Sequence, residues 1–504
     1  MRQKRYLYSL LSSLCAQIVS VFCGIILPRV LIQHYGSQLY GATRSITQFL
    51  GYITLLEGGI SGVARAALYK PLAEKDNVEV GKIIFYIRSF YRKIAMFFSI
   101  STIIIACTYK WIARGNTLDW IYSFFLVIVI AISSMMEYYF GSAYEVLLHA
   151  DQKKYIQYLL STCATLFNTI FACILAYAGV DMIFLKIAWG GIHIIRIILL
   201  NCYIRRAYQF QEVKTKGDYL PQKWDGLGQH IAYFFQTNTD IIIITVFISL
   251  TEVAVYSIYN NIITCLCALV MTLNANVEAI FGDMLAKREL QKLRDFFSQI
   301  SFMISSAVCI CFSVAAVMII PFIRLYTSGI NDAEYMRPAL AMFMLLTQVI
   351  YCLKHPYHEM TIAAGHFKET KKAAFIEVGL NIGLSILLSF MWGTEGVVVA
   401  TLAALIYRAA YFVMYLKNHI LYISPVVFIK RILVTIINIV VNVKLFVLFA
   451  DITHMHVRTI AEWIVFAVIS TILAVAVTML FSYIFYHSEL CCLIRRIKQK
   501  REYL

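Results

Sequence analysis

The sequence predicts an all-α integral membrane protein with about fourteen transmembrane helices, and two observations carry this fold class. Of the 504 residues, 61% are hydrophobic and only 14% are charged, whereas a soluble domain is about 25% charged. The apolar residues lie in runs of roughly twenty, which is the length of helix that spans the hydrocarbon core. Barrel strands would instead alternate over roughly ten residues, so the runs predict a helix bundle.

The polar punctuation between the apolar runs places the individual spans. Polar and charged residues, which are unfavourable in the hydrocarbon core, separate each apolar run from the next. The predicted spans are 7–33, 40–68, 93–112, 119–147, 156–178, 182–204, 226–249, 253–283, 296–323, 338–364, 372–392, 395–417, 428–450 and 461–486.

The Lys and Arg residues outside these spans predict the orientation. The even-numbered gaps and the two tails hold 31 of the 44 Lys and Arg, and the odd-numbered gaps hold five. Because basic loops stay cytoplasmic, both termini are expected in the cytoplasm. The net charge of +16 then reflects topology, and the basic tail 495–501 is expected to meet anionic headgroups and not nucleic acid.

Two features of the sequence argue against an enzyme active site or a metal site. The odd-numbered gaps are short, so no outer loop could host the catalytic residues of a membrane glycosyltransferase or polymerase. The thirteen cysteines include no CxxC pair and no Cys/His cluster with metal spacing, and free cysteine packs as a small hydrophobe. We therefore expect no enzyme activity, no metal and no cofactor.

The first twelve spans form an internal repeat. Ala150, Asn168 and Gly179 match Ala364, Asn381 and Gly393 at offsets of 213 or 214 residues. Because six spans are an even number, the two halves enter the membrane in the same direction, as parallel repeats. The predicted organisation is an N-lobe at 1–205, a cytoplasmic linker at 206–225, a C-lobe at 226–420, and two extra helices with a basic tail at 421–504.

Three segments of the sequence carry a resemblance to a known family. They are Leu27-Pro28-Arg29 followed by Gly36 and Tyr40-Gly41, then Glu57-Gly58-Gly59 followed by Arg65, and Asp240 followed by Tyr256-Ser257. The chain resembles the oligosaccharide repeat-unit flippases (Wzx type) of polysaccharide biosynthesis. They belong to the multidrug/oligosaccharidyl-lipid/polysaccharide (MOP) superfamily, with the MATE exporters and the lipid II flippases. Glu57 stands where aspartate is more usual, and span 8 lacks an expected proline.

Charged residues inside the spans are candidates for a functional site, because each costs about 3 kcal/mol at a helix centre. Arg29, Arg196, Lys354 and Arg408 lie deepest, and we expect them to line a central cavity that binds an anionic headgroup. Pairing with acidic residues on neighbouring helices is the alternative. The acidic residues are candidates for that pairing or for coupling to a proton or sodium ion, and they are Glu57, Asp240 and Glu377.

Span 10 contains a proline flanked by titratable residues. Pro356 removes one helical hydrogen bond, and His355 and His358 beside it titrate near neutral pH in water. The segment predicts a helix break of the kind that transporters place at substrate sites, or a plain kink.

The resemblance implies a flippase of the bacterial inner membrane. It would move a polyprenyl-pyrophosphate-linked oligosaccharide repeat unit, from an O-antigen, capsule or exopolysaccharide pathway, to the outer leaflet by alternating access. Its expected partners are this substrate, membrane lipids and other polysaccharide assembly proteins. Two alternatives remain open, namely an ion-coupled multidrug exporter of the MATE type and a lipid II flippase.

Overall fold

The computed structural model describes residues 2–57, 60–210, 234–235, 238–274, 277–453 and 457–493, and these residues form helices joined by short turns, with no strand among them. By packing, the chain forms two compact units, unit 1 (Met1–Ser257) and unit 2 (Ile258–Leu504). Most of the predicted linker 206–225 and the basic tail 495–501 lie outside the described residues.

In the described part of unit 1 there are eight helices and the start of a ninth. Within it α1 packs along α6, α3 along α4, and α7 along both α4 and α6. The helices are α1 (Arg2–Ile53), α2 (Ile60–Glu74), α3 (Asn77–Ile112), α4 (Trp120–Met136), α5 (Ser142–Ala150), α6 (Lys154–Tyr177), α7 (Met182–Ala207), α8 (Asn238–Ile248) and α9 (Leu250–Met271).

Unit 2 holds, over its described residues, the rest of α9 and six further helices. There α12 packs along α13, and α11 packs against α12, α14 and α15. The helices are α10 (Val277–Ala286), α11 (Leu290–Tyr326), α12 (Pro338–Ala363), α13 (Phe367–His419), α14 (Pro425–Thr453) and α15 (Ile460–Phe485).

The prediction of fourteen spans is confirmed. Eleven helical segments in the described chain are long and apolar enough to cross a membrane, and the shorter apolar helix Asn238–Ile248 lies at the predicted seventh span. Two of the eleven bend at a glycine with positive φ, Gly36 in α1 and Gly393 in α13. Such angles strain residues that carry a Cβ. The bend in α13 therefore separates the predicted spans 372–392 and 395–417, and the bend in α1 separates span 7–33 from the first part of span 40–68, which continues into α2.

The internal repeat is visible in the helix boundaries. The α3 and α11 helices begin 213 residues apart, at Asn77 and Leu290, as do α6 and α13, at Lys154 and Phe367. The matched glycines Gly179 and Gly393 both have positive φ, 71° and 59°. The repeated pattern of the sequence therefore corresponds to a repeated order of helices and turns.

The surfaces of many helices are apolar, as a membrane protein requires. On α15, Ile472 and Met479 are more than half exposed, and Phe184 and Leu199 are equally exposed on α7. Apolar area on this scale is rare on soluble monomers and fits a lipid-facing surface. Polar residues are buried instead along the inner faces, where they form the clusters described next.

Candidate functional site

Arg196 on α7 lies in a polar cluster of unit 1. Its guanidinium is 2.8 Å from Glu145 of α5, forms a second ion pair with Glu137, and donates a 3.4 Å hydrogen bond to Ser161. The arginine side chain is only 10% exposed. Two carboxylates thus surround one cation, and Gln157 donates to Glu145 at 2.5 Å.

A local irregularity of the backbone places Glu137. Residues Glu137–Gly141 form one π-helical turn between α4 and α5, a deviation that widens the helix and is frequent at functional sites. A Cβ on Gly141 would lie 2.6 Å from Glu137 Oε1. The glycine therefore leaves the room that the glutamate side chain occupies as it turns toward Arg196.

The two acidic candidates of unit 1 accept hydrogen bonds from tyrosines. Tyr91 of α3 donates to Glu57 at 2.9 Å, and Tyr138 also donates to Glu57. Tyr256 of α9 donates to Asp240 of α8 at 2.9 Å. Two phenols thus hold the carboxylate of Glu57, and one holds that of Asp240.

Arg29 lies in α1 directly after the buried Pro28 and is itself half-buried. It forms no hydrogen bond or ion pair with any residue that the structure describes, in contrast to Arg196. The guanidinium of Arg29 is therefore available to an external anion.

The second polar cluster lies in unit 2, between α12 and α13. Arg408 and Glu377, both on α13, are 5% and 4% exposed, and Arg408 Nε lies 3.4 Å from Glu377 Oε2. Arg408 also donates to the Thr370 carbonyl at 3.1 Å and covers the Phe412 ring at 4.3 Å. The other oxygen of the carboxylate, Glu377 Oε1, is buried without a partner in the described chain.

Lys354 on α12 adds a second cation to this cluster. It is 5% exposed, and Glu377 and Arg408 are among the charges that act on it. Its ammonium lies 5.4 Å from the centre of the Tyr351 ring, but it forms no ion pair or hydrogen bond with any described residue. Glu377 thus pairs with Arg408, and Lys354 is a second buried cation that no described carboxylate contacts.

The histidines next to Lys354 lie against a second carboxylate of unit 2, that of Glu359. His355 Nδ1 and His358 Nδ1 lie 3.5 and 3.7 Å from Glu359 Oε1, and Asn274 is 2.6 Å from His355 Nδ1. The donor atoms of this trio lie within 4.8 Å of one another, which is close enough to hold a cation. The neighbouring ammonium of Lys354 opposes a cation there.

The predicted helix break at Pro356 is not an interruption of the helix, because α12 runs through it from Pro338 to Ala363. A proline removes only its own N–H bond, and the turns on either side keep theirs. What the segment contributes to the cluster is therefore its side chains.

The structure brings together Lys354, Arg408 and Glu377 in unit 2, and it places Arg29 and Arg196 separately in unit 1. Sequence reasoning missed Glu359 and Asn274 as partners of the histidines, and it did not pair Glu137 and Glu145 with Arg196. The signal for Glu359 was its spacing, because it lies one helical turn after His355.

Comparison with known proteins bears on the fold. No protein-family model and no curated protein matches the chain. Among solved structures, the lipid II flippase MurJ in an inward closed conformation matches with a TM-score of 0.68 at 15% identity, over 96% of this chain and 100% of that chain. The chain has the fold of MOP-superfamily transporters.

Two multidrug transporter structures support this assignment of the fold. An inward-facing MATE multidrug resistance transporter matches with a TM-score of 0.61 at 13% identity, over 79% of this chain and 95% of that chain. The MATE multidrug transporter DinF-BH matches with a TM-score of 0.60 at 13% identity, over 83% of this chain and 97% of that chain. These structural neighbours are transporters and flippases, and this chain is a multi-pass membrane protein with their fold.

Proposed function

We propose that the protein is a flippase that moves a polyprenyl-pyrophosphate-linked oligosaccharide repeat unit to the outer leaflet of the bacterial inner membrane by alternating access. Both termini lie in the cytoplasm, and the protein makes no covalent change to its substrate. A proton or sodium gradient is the candidate energy source, with Glu57, Asp240 and Glu377 as candidate coupling groups.

The observation that carries this proposal is the buried cation Lys354. An unpaired charge inside a membrane protein is costly, and such residues mark substrate pathways. A cation kept without a carboxylate partner favours an external anion as its partner. The pyrophosphate of a lipid-linked glycan is such an anion, and charge-assisted hydrogen bonds to phosphate are strong.

Arg29 is the second cation that supports an anionic substrate. Guanidinium binds phosphate in a planar, bidentate way, and Arg29 has no partner in the described chain. Arg196 and Arg408, the other two predicted substrate-binding cations, already have carboxylate partners. They support the substrate site indirectly, Arg196 by joining α7 to α5 and Arg408 by joining the two halves of α13.

The share of the chain that matches solved structures favours a lipid-linked substrate over a drug. The lipid II flippase MurJ matches 96% of this chain, whereas three MATE transporters match 79%, 83% and 87%. A MATE-type drug exporter and a lipid II flippase are the remaining candidates, since each shares the fold.

The test is the pool of carrier-linked glycan in a strain that lacks the protein. The proposal predicts that a complete repeat unit accumulates on its polyprenyl carrier in the cytoplasmic leaflet. An unchanged pool together with heightened sensitivity to cationic dyes would assign the protein to drug export. Accumulation of lipid II with an unchanged repeat-unit pool would assign it to peptidoglycan assembly.

A further inference from the structure

Unit 2 contains a cavity of about 440 Å³ that is remote in sequence from the Lys354 cluster. It lies where the end of α11, the end of α14 and the start of α15 meet. Its floor includes Met318, Phe446 and Phe466, which form one buried apolar cluster. Its charged lining residues are Arg324 and Arg458. A cavity of this volume is within the range of small-molecule sites.

The two arginines are not neutralised by the residues that line the cavity. None of the nine lining residues is acidic, and the Arg324 side chain forms no ion pair or hydrogen bond within the described ranges. Glu462 is an acidic neighbour of Arg458, and its carboxylate accepts the backbone N–H groups of Arg458 and Thr459 at 2.6 and 3.0 Å. It caps α15, and the guanidinium charges remain available to a ligand.

The aromatic residues beside the cavity are of the kind enriched at the membrane interface. The Trp463 indole N–H donates to the Met318 carbonyl at 3.2 Å. The ring centres of Trp463 and Phe322 lie 5.2 Å apart, and those of Phe322 and Tyr326, which are stacked, lie 5.4 Å apart. Trp and Tyr are enriched at the level of the lipid headgroups. The arginines stand beside this aromatic group at the helix ends, and the apolar floor lies deeper in the helices.

We propose that this cavity binds the headgroup of an anionic glycerophospholipid. The phosphate lies between Arg324 and Arg458, and the upper acyl chain covers Met318, Phe446 and Phe466. The distribution of Lys and Arg places this end of the helices on the outer side, so the lipid belongs to the outer leaflet. The site is independent of the proposed transport function.

The experiment is native mass spectrometry of the full-length, delipidated protein with added phosphatidylglycerol or phosphatidylcholine of the same acyl chains. We expect the protein to prefer phosphatidylglycerol, and R324Q/R458Q to lower that binding about thirtyfold. This corresponds to about 1 kcal/mol for each basic residue at 1.4 kcal/mol per tenfold change. K444Q removes an exposed cation elsewhere on α14 and is expected to bind as the unaltered protein does.

A charge-conserving variant serves as the control for misfolding. R324K/R458K keeps both charges, so it is expected to retain most of the binding that the double glutamine variant loses. Equal binding of both lipids, or unchanged binding by R324Q/R458Q, would overturn the proposal. Displacement of the lipid by inorganic phosphate at a matched concentration would also overturn it, because the site would then recognise a free anion.

Discussion

Unit 1 surrounds one deeply placed arginine with two carboxylates, whereas unit 2 gives one carboxylate to two buried cations. Arg196 contacts Glu137 and Glu145, while Glu377 contacts Arg408 and acts on Lys354 electrostatically without forming an ion pair with it. The formal charge of the first cluster is therefore negative and that of the second is positive. Two similar repeats can therefore use their buried charges differently: in unit 1 the charges join helices, and in unit 2 they leave a cation that can bind a ligand.

The repeat makes this contrast sharper. Glu145 and Glu359 lie 214 residues apart, which is the offset of the matched Ala150 and Ala364. Glu145 pairs with an arginine, but Glu359 lies against two histidines. The glutamate at this position of the repeat thus pairs with a permanently charged arginine in unit 1 and with two histidines in unit 2.

The largest expected effect is the loss of the cation in unit 1. Arg196→Gln would leave Glu137 and Glu145 facing each other without a counter-charge, and we expect a loss of about 4 kcal/mol in stability. Thermal unfolding of the purified protein measures it. Arg205→Gln, an exposed site on the same helix, is the matched control, and R196Q/E145Q should recover part of the loss. Equal unfolding temperatures for R196Q and R205Q would contradict this account.

In unit 2 the loss of the carboxylate should destabilise the protein more than the loss of its arginine partner, the reverse of unit 1. Glu377→Gln leaves two cations without a carboxylate and should cost about 3 kcal/mol, whereas Arg408→Gln leaves Glu377 with Lys354 and should cost about 2 kcal/mol. The same unfolding assay compares the two variants directly. If R408Q proves more damaging than E377Q, the surplus of positive charge in this unit is refuted.

The smallest effect is expected at the tyrosine that holds Glu57. Tyr91→Phe removes a donor to a largely buried carboxylate, and we expect a loss of about 1.5 kcal/mol in unfolding free energy. Tyr138 still donates to Glu57, which limits the loss. Tyr69→Phe, more than half exposed on α2, is the control. A loss no greater than that of Y69F would mean that Glu57 does not depend on this hydrogen bond.

The sequence predicted the spans and the repeat because both depend on the local order of apolar and polar residues. The helix pairs that begin at Asn77 and Leu290, and at Lys154 and Phe367, follow the predicted offset. The bends at Gly36 and Gly393 were not predicted as interruptions within continuous helices. A glycine allows positive φ but does not require it, so packing decides where the bend occurs.

The partners of the buried charges were less predictable. The sequence placed Arg408 and Glu377 among candidate cations and acids, and the structure pairs them. It did not pair Arg196 with Glu137, because that contact depends on the π-helical turn at Glu137–Gly141, which rotates the glutamate relative to a regular helix. Nor could sequence distinguish Lys354 from the paired cations, since the absence of a partner among the described residues is a property of the packed helices.

The most direct test of the central claim is the substrate pool in cells that carry Lys354→Gln. We predict that the carrier-linked repeat unit accumulates to the level of a strain without the protein, while the abundance and unfolding temperature of the variant stay close to those of the original. Lys444→Gln, an exposed lysine on α14, should leave the pool unchanged. A normal pool in K354Q cells, or a collapse in the abundance of that variant, would contradict a binding role for the unpaired cation.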